Sequence, residues 1–355
     1  MYESDDREPA ESLATADLLT ERGSAAERKA ARDCDPYDGA SAFPESLEPD
    51  ASETPRAAMV RVGVTVALVV GPFLGLVLAA WMAWGRNFTY TDLGLAVGLY
   101  VVTGLGITLG FHRGATHGSF RPKPPLKLAL LVSGSLAFQG CLVDWVATHR
   151  RHHAFTDRPG DPHSPYRYGT GAWAQIRGLA FAHSGWLFRN DPTPPERYAP
   201  DVLADPMMVR VSGYFPALCV VSFLLPAVVG FAVSGSLHGA LTAFIWAGLA
   251  RVALLQHVTW SVNSLCHMVG ERPYTTRRFD RATDLWPLAV LSFGESWHNG
   301  HHSDPSCARH GRGRHQLDIS ASVIRGMERL GWMNNVRWPN ADATARRATA
   351  RTPEQ

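Results

Sequence analysis

Cysteine is scarce and scattered: five residues in 355, at positions 34, 141, 219, 266 and 307, with no C-x-x-C pair among them. That pattern excludes a disulfide framework and a thiolate metal site. A glycine-rich dinucleotide fingerprint is missing, and so is any cysteine cluster for an iron–sulfur centre. Aromatic residues are sparse in residues 1–57, a stretch rich in Ala, Ser, Glu, Asp and Pro that holds 6 basic and 15 acidic residues. Such a composition buries too little apolar surface to offset chain entropy, so 1–57 reads as a disordered acidic tail. It has no basic start followed by an apolar run, so no signal peptide is expected. Residues 339–355 read as a second disordered tail. No internal repeat is visible, and the remaining chain is basic, with 28 Lys and Arg against 17 Asp and Glu.

Long apolar runs are plentiful. Four are long enough to cross a bilayer as helices, which takes about 20 residues. They lie at about 62–84, 92–111, 214–233 and 238–260. Charge is nearly absent from them apart from Arg251. The connections 85–91 and 234–237 are short, so each pair is a helical hairpin. Arg56 and Arg61 precede the first run, and Arg113, Arg121, Lys123 and Lys127 follow the second, whereas the connection 85–91 carries only Arg86. Cytoplasmic loops collect positive charge, so both termini and the middle segment are expected on the cytoplasmic side of a cell membrane. A fifth run at 126–143 is read as a buried or interfacial helix, and 172–188 as an amphipathic surface helix. The expected architecture is all-α: four transmembrane helices in two hairpins under a cytoplasmic helical cap, within a domain at 58–338.

Histidine is concentrated. Eight of the 15 fall in three bursts: His112-Arg-Gly-Ala-Thr-His117, His149-Arg-Arg-His152-His153 and His298-Asn-Gly-His301-His302. Neutral imidazole is a common ligand of iron, zinc and copper, and eight rings are too many for one ion, so a two-metal site is indicated. On a helix, i, i+3 and i+4 share a face, which lets each H-x-x-H-H burst point one way. Crossing of 126–143 would put the first two bursts on opposite sides of the membrane; parity therefore argues against it. His267 follows the fourth run and is a ninth candidate, with Asn263 one turn before it. Asp144, Asp157, Asp161, Asp284 and Glu295 are near enough in sequence to orient the imidazoles from behind. His163, His183, His238, His257, His310 and His315 lie outside the pattern and read as structural.

These residues resemble the membrane-bound fatty acyl desaturases, specifically the acyl-CoA Δ9 type in its actinomycete form. The similarity covers about residues 60–338. It includes Gly110-Phe-His-Arg113, the stretch 149–165 (HRRHHAFTDRPGDPHSP), His257-Val-Thr-Trp-Ser-Val-Asn263, Phe293-Gly-Glu-Ser-Trp-His-Asn299 and Ala308-Arg-His-Gly311. The chain departs from the usual pattern at Gly114, Gly118, Gly300 and Ser303-Asp304-Pro305, none a ligand position. The resemblance implies a non-haem diiron centre held by His112, His117, His149, His152, His153, His267, His298, His301 and His302. It implies a metal-bound water at Asn263 and an acyl tunnel beside Trp145 and Trp260.

The implied reaction is O2-dependent removal of two hydrogens from adjacent methylenes of a long-chain acyl thioester. Arg150, Arg151, Arg167, Arg177 and Arg189 are candidates for a phosphorylated headgroup, on coenzyme A or another acyl carrier. Without a redox cofactor of its own, the chain would take electrons from a separate ferredoxin or flavoprotein reductase, whose acidic surface suits a basic body. No nucleic-acid partner is expected. A hydroxylase, ketolase or acetylenase on the same scaffold is the nearest alternative. A histidine-rich metal transporter is a remote one, because it would place ionisable residues along its spans.

Overall fold

A computed structural model describes residues 54–348. The acidic tail therefore lies, up to residue 53, outside the described residues, as do residues 349–355. Four helices are long and apolar enough to cross a membrane: α1 (Pro55–Trp84), α2 (Tyr90–Thr116), α6 (Phe215–Ser234) and α7 (Leu237–His267). These are the four expected spans, each extended at one or both ends. The α1–α2 turn is closed by a capping box, in which Thr89 caps α2 and the Asp92 carboxylate accepts from the Thr89 backbone N–H (2.8 Å). The α6–α7 turn uses Gly235 in the left-handed region (φ 65°), which glycine adopts without strain. In its most apolar stretch α7 is 56% buried, against 17% for α1 and for α6. The fourth span is thus the central post, whereas α1 and α6 leave Leu74, Trp81, Leu224 and Val228 exposed.

The fifth apolar run does not cross. It splits into α3 (Pro124–Ser135) and the start of α4 (Leu142–Phe155), joined by an irregular stretch at 136–141. Twelve helical residues reach about 18 Å, short of the roughly 30 Å hydrocarbon layer. Non-helical backbone between spans survives only if protein groups satisfy its carbonyls. Arg251 of α7 does this, donating to Leu136 O (3.1 Å) and to Ser222 O and Oγ on α6 (3.1 and 2.9 Å). Gln256 donates to Phe138 O (3.2 Å) and Gln139 to Thr259 Oγ1 (2.9 Å). Arg251, buried within the fourth span, is therefore an anchor for a re-entrant turn. Backbones of α2 and α3 touch at Gly106 and Gly134, where an added Cβ on Gly106 would lie 2.2 Å from the Gly134 nitrogen.

Beyond the spans, α5 (Ala172–His183) lies at the surface with Trp173 and Ile176 exposed, as its amphipathic pattern predicts. The third burst forms the short α8 (His298–Ser303), followed by α9 (Ile319–Arg329) and α10 (Ala341–Arg347). The last helix corrects the expectation of a disordered tail from 339. Arg347 pairs with Asp304 (2.8 Å), and its carbonyl accepts from Thr275 N (2.7 Å), so the chain through 348 is tied to the body.

Candidate metal centre

The first burst poses a geometric problem. On an α-helix, with 3.6 residues per turn, two residues five apart point about 140° away from each other. The end of α2 resolves this by becoming a π-helix over Gly106–Thr116, and the His117 N–H donates to His112 O five residues back (3.1 Å). The wider turn brings both rings to one side, 4.9 Å apart. The second burst lies on α4 and the third on α8, each with the i, i+3, i+4 geometry. His267 stands at the end of α7 in a 3₁₀ turn.

The nine rings converge in two groups. His112, His117, His149, His153 and His301 each offer a ring nitrogen within 4.8 Å of the others; His152, His267, His298 and His302 form the second such set. Neighbours in sequence thus separate: His152 from His153, and His301 from His302. Adjacent helical positions differ by about 100°, so i+3 and i+4 straddle the shared face and serve different sets.

Carboxylates stand behind four rings. Nδ1 of His152 meets Asp161 (3.0 Å), that of His267 Asp157 (2.9 Å), that of His302 Asp280 (2.8 Å), and that of His112 Glu295. An ionised carboxylate can only accept, so Nδ1 carries the proton and Nε2 presents its lone pair inward. Nε2 of His152 and of His302 is buried with no hydrogen-bond partner, and so is Nε2 of His117. Buried acceptors are rarely left unmatched in proteins. Lone pairs converging on shared points are what a bound cation satisfies, and the all-imidazole donor set fits iron. Burial holds His117, His149, His153, His298, His301 and His302 far below the usual histidine range, so these rings stay neutral and ready to ligate.

The loop after α4 supplies two of the carboxylates. Asp157 sits in the left-handed region (φ 56°), which aspartate tolerates. There it turns the chain back toward α7, and Asp161 is fixed by backbone N–H groups of Asp157 and His163 (2.8 and 3.0 Å). Burial opposes the Asp161 charge, but His152, His163 and those donors outweigh it and hold the carboxyl well below its usual range. A second network backs His112. Fully buried Arg113 donates to Glu295 (3.1 Å), Asp318 (3.0 Å) and Ala308 O (2.7 Å). Removing one partner from such a buried set costs about 3–5 kcal/mol.

Two cavities run beside the rings. The larger, about 290 Å³, is bounded by Thr65, Leu68, Trp186, Trp260 and Gln256. The smaller, about 50 Å³, continues toward Gly104, Ile107 and Phe293. Trp145, His149, Thr259 and Asn263 line both. Trp145 stacks on His149 at 5.1 Å, and Trp260 packs on His257 at 5.2 Å. Asn263, Trp145 and Trp260 thus border one apolar passage along the histidines.

The expected headgroup arginines are mostly engaged elsewhere. Arg150 grips Asp201 and the carbonyls of Ala115, Thr116 and Tyr198. Arg151 forks onto Asp191 (2.9 and 3.0 Å), Arg177 lies over Tyr168 and Arg167 over Phe181. Arg189 lies two residues beyond Leu187, which borders the larger cavity. Of the expected carboxylates, Asp157, Asp161 and Glu295 meet imidazoles. Asp144 instead accepts from the Cys141 thiol, and Asp284 accepts from Gly300 N and Gln316. Asp280, behind His302, carries no motif that sets it apart in sequence from other loop aspartates. His310 reads as structural from sequence, yet it is fully buried with its ring 4.4 Å from His301; only its place in Ala308-Arg-His-Gly311 hinted at more. His183 and His257 pair with each other (2.9 Å) away from the centre.

Residues 92–317 match the family model described as fatty acid desaturase. The chain belongs to the fatty acid desaturase family. Among the relatives of this desaturase is the Δ9 acyl-lipid desaturase 1 of Arabidopsis thaliana, 37% identical over 75% of this chain and 81% of the relative. The sn-1 stearoyl-lipid 9-desaturase of Anabaena variabilis is 36% identical, covering 75% of this chain and 91% of its own. The hex-5-enoyl-[acyl-carrier protein] acetylenase of Moorena producens (strain JHB) is 33% identical over 76% and 84%. The desaturase is therefore an oxidoreductase, and its four apolar helices make it a membrane protein.

Proposed function

We propose that this desaturase holds two irons, one in each histidine set, and inserts a cis double bond, at the Δ9 position, into a long-chain acyl thioester. The observation that carries the reading is the five-and-four division of the rings beside an apolar passage that both sets border. The bound iron pair supplies the activation of O2 that makes removal of two unactivated hydrogens feasible. The net change converts CH2–CH2, O2, two electrons and two protons to CH=CH and two waters. Asp157, Asp161, Asp280 and Glu295 fix the ring tautomers and offset the charge of two divalent ions. Asn263, one turn before His267 and lining both cavities, would hold a water at the four-histidine set, which has one ligand fewer. Trp145, stacked on His149, forms the wall that positions the acyl chain. The apolar lining excludes water from the reacting carbons. The bond position then follows from the length of passage between its mouth and the rings.

Positive charge at the ends of α1 and α2 supports a cytoplasmic position for both termini and the metal centre. Electrons come from a separate carrier, and the acyl group rides on coenzyme A or another carrier. A transporter is disfavoured because Arg251 is consumed in anchoring the re-entrant turn. The test is the fatty-acid profile, with double-bond positions, of a desaturase-deficient host expressing the chain beside His301→Ala. A new cis-monoene with the intact chain alone is expected. Hydroxylated or acetylenic products with the intact chain would reassign the chemistry on the same scaffold.

A further inference from the structure

The geometry points to an arginine-lined cleft behind His310 as the docking surface for an acidic one-electron carrier protein. The inference rests on the reading of the histidine sets as a reducible metal pair. The cleft measures about 860 Å³ and is lined by Arg309, Arg314, Arg325 and Arg329; Arg312 lines it too, but its side chain is buried and held by Gly300 O (2.8 Å) and Asp304 (3.8 Å). Among the described residues lining the cleft, the one carboxylate is Asp318, buried and committed to Arg113 and the His310 N–H (3.0 and 2.8 Å), so it leaves the rim positive. Arg314 and Arg329 pair with none of the described carboxylates. Arg325 shares an exposed pair with Glu328 (3.0 Å), an arrangement that contributes little, and lies 3.6 Å over the Trp338 ring.

Position distinguishes this patch from other basic surface. Arg309 and Arg312 flank His310, whose ring turns inward, 4.4 Å from His301 and 5.5 Å from His112. One side chain thus separates the cleft wall from the five-histidine set. The acyl passage shares no lining residue with the cleft, so an acyl carrier has no reason to sit here. Clustered positive charge steers an acidic partner and fixes its orientation. Each docking moves one electron: the carrier's centre is oxidised by one electron, the metal pair is reduced by one, and two dockings supply one turnover.

The test uses the full, iron-loaded chain in detergent with a plant-type [2Fe–2S] ferredoxin as the probe. Binding and stopped-flow reduction are compared between wild type and Arg325→Glu/Arg329→Glu, with the milder Arg314→Ala/Arg329→Ala as a second variant. The ferredoxin Kd is expected to rise roughly tenfold in the reversal variant, less in the milder one, with a weaker salt dependence in both. Reduction by dithionite through methyl viologen stays at the wild-type rate. Unchanged ferredoxin binding in both variants overturns the proposal. A raised KM for acyl substrate with unchanged ferredoxin binding overturns it in favour of a headgroup site. If removal of residues 1–53 tightens ferredoxin binding and cancels the arginine effect, the acidic tail is the occupant and the proposal fails. Wild-type protein that dithionite cannot reduce would sink the metal-pair reading itself.

Discussion

The two histidine sets differ in what stands behind them. In the set of four, His152, His267 and His302 each have an aspartate of their own. In the set of five, only His112 meets a carboxylate among the described residues, and Glu295 shares its charge with Arg113. The smaller set therefore has fewer ligands but more of them locked in tautomer and direction, with more negative charge nearby. The larger set relies on number and on crowding: His117, His149, His153 and His301 pack ring against ring at 4.7–6.1 Å. Two positions built on one protein by such different means are not expected to bind metal with the same affinity or pH response.

The largest effect comes from separating neighbours. His152→Ala removes a ligand of the set of four, and His153→Ala one of the set of five. Each should lower iron from two per chain to about one and abolish product, but the iron that remains sits at different positions. Iron counting with Mössbauer spectra of the two variants checks this; identical residual spectra would refute the division. A tenfold to hundredfold effect is expected from Asp161→Asn, roughly the range for loss of a partner behind a ligand. Iron titration should show one weakened site and one unchanged. Equal weakening of both would mean that the sets do not act separately.

The smallest effect uses a carboxylate that meets no imidazole. Burial raises Asp284 from 3.8 to about 6, whereas Asp161 beside His152 is held low. Folded protein thus keeps a proton on Asp284 that the unfolded chain releases above 3.8. The stabilisation this gives is full below about 3.8 and is lost as pH rises through 6. Asp284→Asn should remove that slope, so its Tm gains on the wild type between pH 4 and 6.5. Parallel Tm profiles over that range would show that Asp284 does not titrate there.

Much of this was legible before folding was considered. Span length, short hairpin connections and the i, i+3, i+4 spacing are local properties, set by helix geometry and the cost of exposing polar backbone to lipid. They gave the four spans and the eight rings of the three bursts; the parity of the bursts argued for the non-crossing run at 126–143, and His267 joined the set through the family resemblance. His112 and His117 are aligned by a π-helix, whose hydrogen bonds run five residues back, a feature that the burst's spacing alone does not specify. What the sequence could not show is how side chains meet across loops and between elements, from His310 against His301, nine residues apart, to His112 beside His301, 189 apart. The five-and-four division, Asp280 behind His302, His310 against His301 and Arg251 capping the re-entrant turn all depend on such meetings. Local patterns determined which groups are available, and only tertiary packing decided which of them share a point in space, because burial and charge compensation are settled between segments rather than within them.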